Sequence, residues 1–337
     1  MRLFKTTGFQ ISAVMLLAAA WKGLFLFWHV VPFNSDEAVV ALMARHILQG
    51  ERPVFFYGQA YMGSLDAFFV AGGFALFGQH IWVIRLVQAL LYLGIIFTTI
   101  WIGKEAFNSL RTGILAGVLL AIPTVNVHLY TTASLGGYGE ALLLGNLTLL
   151  VSVVLARRYL LVEKAQARAP WWLFALFGWL VGCGMWANGL SLVFSAPAGL
   201  YLLWALVTCR RGWLLPFFLS AGLGFLLGGL PWWIYAITNG PQHLILELFG
   251  TAVAVERDSW IVRTGKHLIN FLLLGLTVIF GFRPPWAVRW LGLPLMPFVL
   301  VFWMAVAGFA YRPICNCHLA GDGNHRLDGE HPGRFTQ

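Results

Sequence analysis

The stretch Val31-Pro-Phe-Asn-Ser-Asp-Glu-Ala38 decides the architecture, because it marks where the chain leaves its first apolar segment. That segment, Ile11–Val31, contains one residue of the Asp, Glu, Lys and Arg types, Lys22. It is long enough to span a bilayer, which takes about 20 residues per crossing. Two adjacent carboxylates, Asp36 and Glu37, therefore lie where the chain emerges from the membrane.

The composition is that of a membrane protein. Of the 337 residues, 59% are hydrophobic and 10% are charged, whereas a soluble domain has roughly 25% charged residues. The 16 Trp and 27 Phe residues fit the aromatic belts of membrane interfaces. The net charge of +9 does not indicate nucleic-acid binding, because the basic residues are scattered between apolar segments and form no patch.

The N-terminus has some features of a secretory signal peptide. Arg2 and Lys5 precede the apolar run, and Ala18-Ala19-Ala20 is similar to a cleavage site. The apolar run continues for 11 residues beyond these alanines, from position 21 to 31. We therefore expect an uncleaved first transmembrane helix.

A long connection, residues 32–80, is predicted to form a large first extracytoplasmic loop. Asn34 followed three residues later by Glu37 predicts a helix that begins with a capping box. Gly50 marks its end, and one apolar side suggests that it lies on the membrane surface. Leu65–Phe77 is apolar but short, and we expect it to form a second interfacial helix.

Further apolar segments predict a polytopic helical bundle. Six segments are predicted to cross the membrane: Ile81–Gly103, Thr112–Val127, Gly139–Ala156, Trp171–Trp186, Leu190–Val207 and Leu214–Ile237. Beyond residue 240, His267–Phe282 is short for a crossing and Leu291–Ala310 is long enough. We expect an all-α membrane protein with about eight or nine transmembrane helices.

The chain is predicted to consist of a transmembrane domain, residues 1–311, and a polar tail, residues 312–337. The tail is rich in Gly, His, Asp and Arg and has no hydrophobic pattern. We expect it to be disordered, or to be the remnant of a truncation or a frameshift.

Basic residues predict the orientation. Lys and Arg are concentrated in the connections 104–111, 157–168 and 210–211, and the positive-inside rule places these connections in the cytoplasm. The acidic residues Asp36, Glu37 and Glu140 then share the extracytoplasmic side. We expect a multi-pass protein of a bacterial plasma membrane whose active site faces outward.

Carboxylates at a membrane surface are suited to glycosyl transfer from a lipid carrier. One carboxylate can remove the proton of an acceptor hydroxyl, and direct displacement with a single base inverts the anomeric centre. The leaving phosphate must be neutralised by Arg, Lys, His or a divalent cation. His128, near the outer end of the third predicted span, is a candidate donor to such a phosphate.

The motif Asn34-Ser-Asp-Glu-Ala38 resembles the acidic motif in the first external loop of GT-C glycosyltransferases. The likeness is to the branch of protein mannosyltransferases and aminoarabinose transferases. Phe74-Ala-Leu-Phe-Gly78 with Trp82-Val-Ile-Arg-Leu86, and then Ser134-Leu-Gly-Gly-Tyr-Gly-Glu140, are similar to later segments of that branch. The likeness covers about residues 10–210 and includes the order of the motifs.

The resemblance implies a GT-C-like bundle that moves a sugar from a polyprenyl-phosphate donor to a hydroxyl of a protein, lipid or glycan. It implies that Asp36 is the general base. Glu37 and Glu140 would assist the base or bind a divalent cation such as Mg or Mn. Arg85 would contact the donor phosphate.

Each of these residues also has a structural explanation. Asp36, Glu37 and Glu140 can be first-turn acids favoured by a helix dipole. Arg85 can anchor a helix end, and Lys22 is expected to snorkel outward from the first span. Asp66, in the second interfacial helix, is explained by a solvated helix face.

Two other functions stay open from the sequence. A transporter or lipid flippase would have broken helices that meet at the membrane midplane. A truncated, non-catalytic member of the glycosyltransferase family would keep the fold and lack activity.

Overall fold

The structure is a computed structural model that describes residues 2–161, 170–209, 214–250, 259–271, 275–279, 297–298 and 301–308. The chain divides into two compact units, one formed by Met1–Pro123 and Val127–Ser259 and the other by Thr124–Asn126 and Trp260–Gln337. The proposed site lies in the first unit.

The described residues are almost entirely helical. The helices of the first unit are α1 (Arg2–Phe27), α2 (Ser35–Leu48), α3 (Leu65–Phe77), α4 (Ile81–Phe107), α5 (Leu110–Ala121), α7 (Tyr138–Leu155), α8 (Trp171–Ala187), α9 (Leu192–Cys209), α10 (Leu214–Gly228), α11 (Leu230–Asn239) and α12 (Pro241–Gly250), while α6 (Val125–Tyr130) begins in the second unit. The second unit also contains α13 (Trp260–Asn270) and α14 (Leu276–Ile279). The strands are β1 (Phe55–Phe56) and β2 (Gln59–Gly63), which pair in an antiparallel hairpin.

Several helices have the length and composition of membrane spans. Four described helical segments qualify: Thr7–Phe27, Ile81–Phe107, Tyr138–Leu160 and Gly189–Thr208. A fifth span results if Leu215–Gly228 and Leu230–Asn239, which are bent by 69° relative to each other, count as one. The all-α membrane class is thus supported, with four or five spans among the described residues against the eight or nine expected.

Helix breaks account for part of the difference. Thr112–Val127 was expected to be one span, but α5 ends at Ala121 and α6 begins at Val125, because Pro123 cannot continue a helix. Leu214–Ile237 breaks at Gly228-Gly229 ahead of Pro231. Trp171–Ala187 is an apolar helix of 17 residues and is shorter than the qualifying spans.

Some predictions fall on residues that the structure does not describe. The span at 267–282 lies partly outside the described residues, as does half of the span at 291–310. The polar tail, 312–337, lies wholly outside them.

The first loop forms a packed layer. The capping box is confirmed, since Asn34 Oδ1 accepts from the Glu37 N–H at 3.0 Å and the Glu37 carboxylate accepts from the Asn34 N–H at 3.3 Å. The apolar side of α2 packs on α3 and α4 instead of facing lipid, and the buried members of this cluster include Val40, Met43, Ala44, Ile47, Val70, Ala71, Phe74, Val83 and Ile84. This packing fixes the position of the acidic motif at the start of α2.

Helices α8 and α10 pack with their backbones in contact. A Cβ atom added at Gly178 would lie 1.8 Å from the carbonyl oxygen of Ala221, and one added at Gly224 would lie 2.0 Å from that of Ala175. Small residues allow such close approach between membrane helices. Gly222 of α10 makes no such approach, since a Cβ added there would meet no atom within 4 Å.

Gly178→Ala is expected to lower the stability of the purified protein by about 1–3 kcal/mol, because the added methyl overlaps the backbone of α10. The measurement is the apparent melting temperature in detergent. Gly222→Ala is the matched control, which should be neutral or stabilising, since alanine favours a helix over glycine by about 1 kcal/mol. Equal melting temperatures for the two variants would contradict the packing described here.

Candidate functional site

The carboxylate of Asp36 lies in the first turn of α2 and is half-buried. It makes no hydrogen bond or ion pair with any residue that the structure describes. Its charge acts on the hydroxyl groups of Tyr61 and Tyr138. Burial, and then the charge of Asp36, raise the pKa of Tyr61. Asp36 is thus a partly accessible carboxylate beside two phenols, without a cation to hold it.

Glu37, the next residue of α2, is fully buried. Arg85 of α4 donates to it through two atoms, with Nε 3.2 Å from Oε1 and Nη2 3.1 Å from Oε2. Such bidentate pairs fix both the position and the orientation of a guanidinium. The structure therefore brings two of the predicted site residues together and gives the Glu37 carboxylate a role in holding Arg85.

Glu140 of α7 faces Asp66 of α3, and each carboxyl group is 1% exposed. Gln88 Nε2 donates to Asp66 Oδ1 at 2.9 Å, and the hydroxyl of Ser134 donates to Asp66 Oδ2. Burial raises the pKa of Asp66, although these donors act in the opposite direction. Because two carboxyl groups face each other without an ion pair to any described residue, we infer that the pair retains one proton.

Asp66→Asn is expected to raise the apparent melting temperature at pH 8 more than at pH 5. Because its pKa is raised, folded Asp66 holds a proton more tightly than the unfolded chain, where Asp titrates near pH 3.9. The stabilisation is fully present below about pH 4 and is lost as the pH rises through the folded pKa. Asn retains the acceptor for Gln88 and cannot ionise.

Melting temperatures of wild type and Asp66→Asn, measured across pH 5–8 in the same detergent, test this. The control is Glu51→Gln, which alters a carboxylate whose side chain is 56% exposed. A difference between Asp66→Asn and wild type that stays constant with pH, or grows towards pH 5, would contradict the buried acid pair.

Lys22 does not snorkel, and that prediction is wrong. It is 2% exposed, and Nζ donates to the Thr131 carbonyl at 3.0 Å, to Thr131 Oγ1 at 2.9 Å and to Thr132 Oγ1 at 2.8 Å. It also lies 4.2 Å from the centre of the Tyr92 ring. These partners are themselves buried, so the ammonium group is satisfied inside the protein.

His128 lies beside Lys22 and away from the residues that surround Arg85. Its ring packs on Phe25 with centroids 4.5 Å apart, and Nδ1 is buried without a hydrogen-bond partner among the described residues. Burial, and then the charge of Lys22, lower the pKa of His128 to about 4. A neutral, buried imidazole does not supply positive charge to a phosphate, so this placement gives no support to the predicted phosphate-binding role.

One face of α4 organises these contacts. Arg85, Gln88 and Tyr92 are buried at i, i+3 and i+7. They reach Glu37 of α2, Asp66 of α3 and the Leu120 carbonyl of α5, respectively. Polar residues at helical spacing within an apolar span were a signal in the sequence, but only Arg85 was identified from it.

A pocket of about 640 Å³ opens beside Arg85, between the end of α1 and the start of α4. Its lining consists of Leu26, His29, Val31, Pro32, Phe33, Gln79, His80, Ile81, Trp82 and Arg85. The two histidines were not identified as site residues from the sequence, because a histidine at the end of an apolar segment is usually explained by the interface alone.

The predicted metal ligands, Glu37 and Glu140, have different surroundings: Glu37 pairs with Arg85, whereas the oxygens of Glu140 accept no hydrogen bond from a described residue. Within the part of the chain that the structure describes, no group of three or more His, Cys, Asp or Glu side chains is placed to hold a metal ion. The oxygens of Glu37 accept from Arg85 and Asn34, and this donor environment does not suit a divalent cation.

Comparison with known proteins gives no family assignment. No protein-family model matches the chain, and neither a curated protein nor a solved structure matches it.

Proposed function

We propose that this chain is an inverting glycosyltransferase that takes a sugar from a polyprenyl-phosphate donor at the extracytoplasmic face of a membrane. The proposal includes a GT-C-like helical bundle. The observation that carries it is the arrangement at the start of α2, where an unpartnered carboxylate, Asp36, adjoins the buried Glu37–Arg85 pair. Asp36 of α2 thus supplies the base. Arg85 of α4, which is held by the neighbouring Glu37, supplies the cation.

In the proposed reaction Asp36 accepts the proton of the acceptor hydroxyl. The freed oxygen attacks the anomeric carbon, while the bond from that carbon to the phosphate oxygen breaks on the opposite face, so the configuration inverts. The electron pair of the broken bond stays on the phosphate, and the products are the glycosylated acceptor and polyprenyl phosphate. The proton on Asp36 then returns to solvent.

The surroundings of Asp36 suit this role. Its position is set by the capping box of α2 and by the packing of α2 on α3 and α4. Tyr61 and Tyr138 lie near it, and aromatic faces can stack on a sugar. Because no described residue holds the carboxylate, it can accept a proton without first breaking an ion pair.

Arg85 is assigned to the leaving phosphate, and Glu37 is assigned to positioning Arg85. A fixed guanidinium stabilises developing negative charge without reorganising during the reaction. The Asp66–Glu140 pair lies between α3 and α7 and does not contact Arg85, so we assign it to the scaffold.

A transporter or lipid flippase is the second candidate. The observation that favours it is the 69° bend between Leu215–Gly228 and Leu230–Asn239, since broken helices are typical of transporters. The glycosyltransferase is preferred because the acidic residues lie at helix starts, Asp36 in α2 and Glu140 in α7, and not at this break.

The test uses the full chain reconstituted in liposomes with labelled polyprenyl-phosphate sugars and candidate acceptors. Label transferred to an acceptor, with inverted configuration at the anomeric carbon, supports the proposal. Movement of the donor across the bilayer without transfer supports the transporter instead. Neither activity, in protein shown to be folded by its melting transition, supports a non-catalytic member of the family.

A further inference from the structure

The pocket beside Arg85 has the chemistry of an anion site. Five of its lining side chains, those of His29, Gln79, His80, Trp82 and Arg85, carry nitrogen donors, and no carboxylate of a described residue lines it. Glu37 occupies Nε and Nη2 of Arg85, while Nη1 makes no hydrogen bond to a described residue. One guanidinium donor therefore remains for a ligand in the pocket.

The ring of His80 packs on a neighbouring side chain, and the backbone of His29 has an unusual conformation. The ring of His80 stacks on Trp82 with centroids 6.3 Å apart and an interplanar angle of 13°. Gly78 has φ +83°, and a Cβ there would lie 3.3 Å from His80 Nε2. His29 has φ 51°, an uncommon conformation for a residue other than glycine. Such outliers cluster at ligand sites.

An apolar groove of about 430 Å³ lies between α3 and α4. All of its lining residues are apolar or glycine: Phe69, Gly72, Gly73, Leu76, Phe77, Val83, Leu86, Val87, Leu90 and Leu91. The groove and the pocket adjoin where the rings of Phe77 and Trp82 meet, with their centroids 5.9 Å apart. Phe77 lines the groove and Trp82 lines the pocket.

We infer, on the basis of the proposed function, that the pocket and the groove together bind the donor lipid. The phosphate lies among His29, His80 and Arg85, and the first isoprene units cross Phe77 and Trp82 into the groove between α3 and α4. A single groove leading from a cluster of nitrogen donors fits a phosphate with one hydrocarbon chain. A glycerophospholipid has two chains and would leave one of them outside.

The experiment uses the full chain in phosphatidylcholine nanodiscs and a prenyl phosphate with a photoactivatable diazirine in its second isoprene unit. Mass spectrometry of the crosslinked protein should find the label on groove residues of α3 and α4. Unlabelled prenyl phosphate should displace it, whereas inorganic phosphate and phosphatidylglycerol at the same concentration should not. Displacement by phosphatidylglycerol to the same extent would overturn the inference in favour of an ordinary lipid site.

Two variants test the contributions of the pocket and of the groove to labelling separately. His80→Ala removes a phosphate donor and Leu86→Trp fills the groove, and each should weaken labelling about tenfold or more. The matched controls are His243→Ala and Leu223→Trp, which alter exposed residues elsewhere on the chain. Labelling that is equal in the variants and their controls, in proteins with unchanged melting temperatures, would overturn the inference.

The outcomes also distinguish this inference from the proposed function. Groove labelling with no sugar transfer by wild type would support the lipid site and count against the glycosyltransferase. Sugar transfer with the label on other helices would support the enzyme and overturn the lipid site.

Discussion

Asp36→Asn is expected to reduce sugar transfer by about 10²–10⁴-fold, the usual contribution of a general base. The substitution preserves the size of the side chain and removes its ability to accept a proton. The carboxylate makes no hydrogen bond or ion pair with a described residue. The melting temperature should therefore stay close to that of wild type, and the loss should appear in the transfer rate.

The measurement is initial transfer at saturating and at limiting donor, with photolabelling by the prenyl phosphate as a separate readout of donor binding. An interaction made only in the transition state lowers kcat and kcat/KM together and leaves KM unchanged. Glu51→Gln is the matched control, because Glu51 is an exposed carboxylate just beyond the other end of α2. Transfer by Asp36→Asn within a factor of two of wild type would show that another group is the base.

Local sequence patterns correctly predicted the start of α2, where the acidic motif lies. The capping box depends on residues three positions apart, so Asn34 and Glu37 sufficed to predict the start of α2. Successive residues on a helix point about 100° apart, which follows from 3.6 residues per turn. One of the two adjacent acids is consequently buried and the other is accessible. Which one is buried depended on the packing of α2 on α3 and α4, and this packing is not local.

Local sequence patterns did not predict which residues pair with the buried charged side chains. Arg85 lies 48 positions from Glu37, and Asp66 lies 68 positions from Ser134, so these contacts follow only from the arrangement of helices. Lys22 was expected to snorkel because it lies inside an apolar span, where a lysine commonly extends its ammonium group to the membrane surface. The break at Pro123 places Thr131 and Thr132 in a turn after α6, where their hydroxyl oxygens accept hydrogen bonds from Lys22 Nζ.

Hydropathy also overestimated the length of several helices. A window average does not register a single proline or a glycine pair, yet these end α5 and separate α10 from α11. Apolar composition predicted that these segments are buried in a bundle or in lipid. It did not predict that each is a single straight crossing.

Arg85→Met alone is expected to destabilise the protein by about 3–5 kcal/mol, because it leaves the fully buried carboxylate of Glu37 without a counter-ion. The double variant Glu37→Leu, Arg85→Met replaces both charges with apolar groups of similar size. It should recover most of the lost stability, since an apolar pair in place of a buried ion pair is often neutral or stabilising. The measurement is the apparent melting temperature of wild type, both single variants and the double variant.

The matched control is the same cycle of variants at Glu105 and Arg158, an ion pair whose arginine side chain is 56% exposed. The interaction free energy measured for this pair should be only about 0–1 kcal/mol. Donor binding separates the structural role of Arg85 from its proposed role at the phosphate. If Arg85 serves only to neutralise Glu37, the double variant should regain prenyl phosphate labelling together with its stability. If Arg85 Nη1 contacts the phosphate, the double variant should be stable and still label about tenfold less than wild type, because no cation replaces the guanidinium in the pocket.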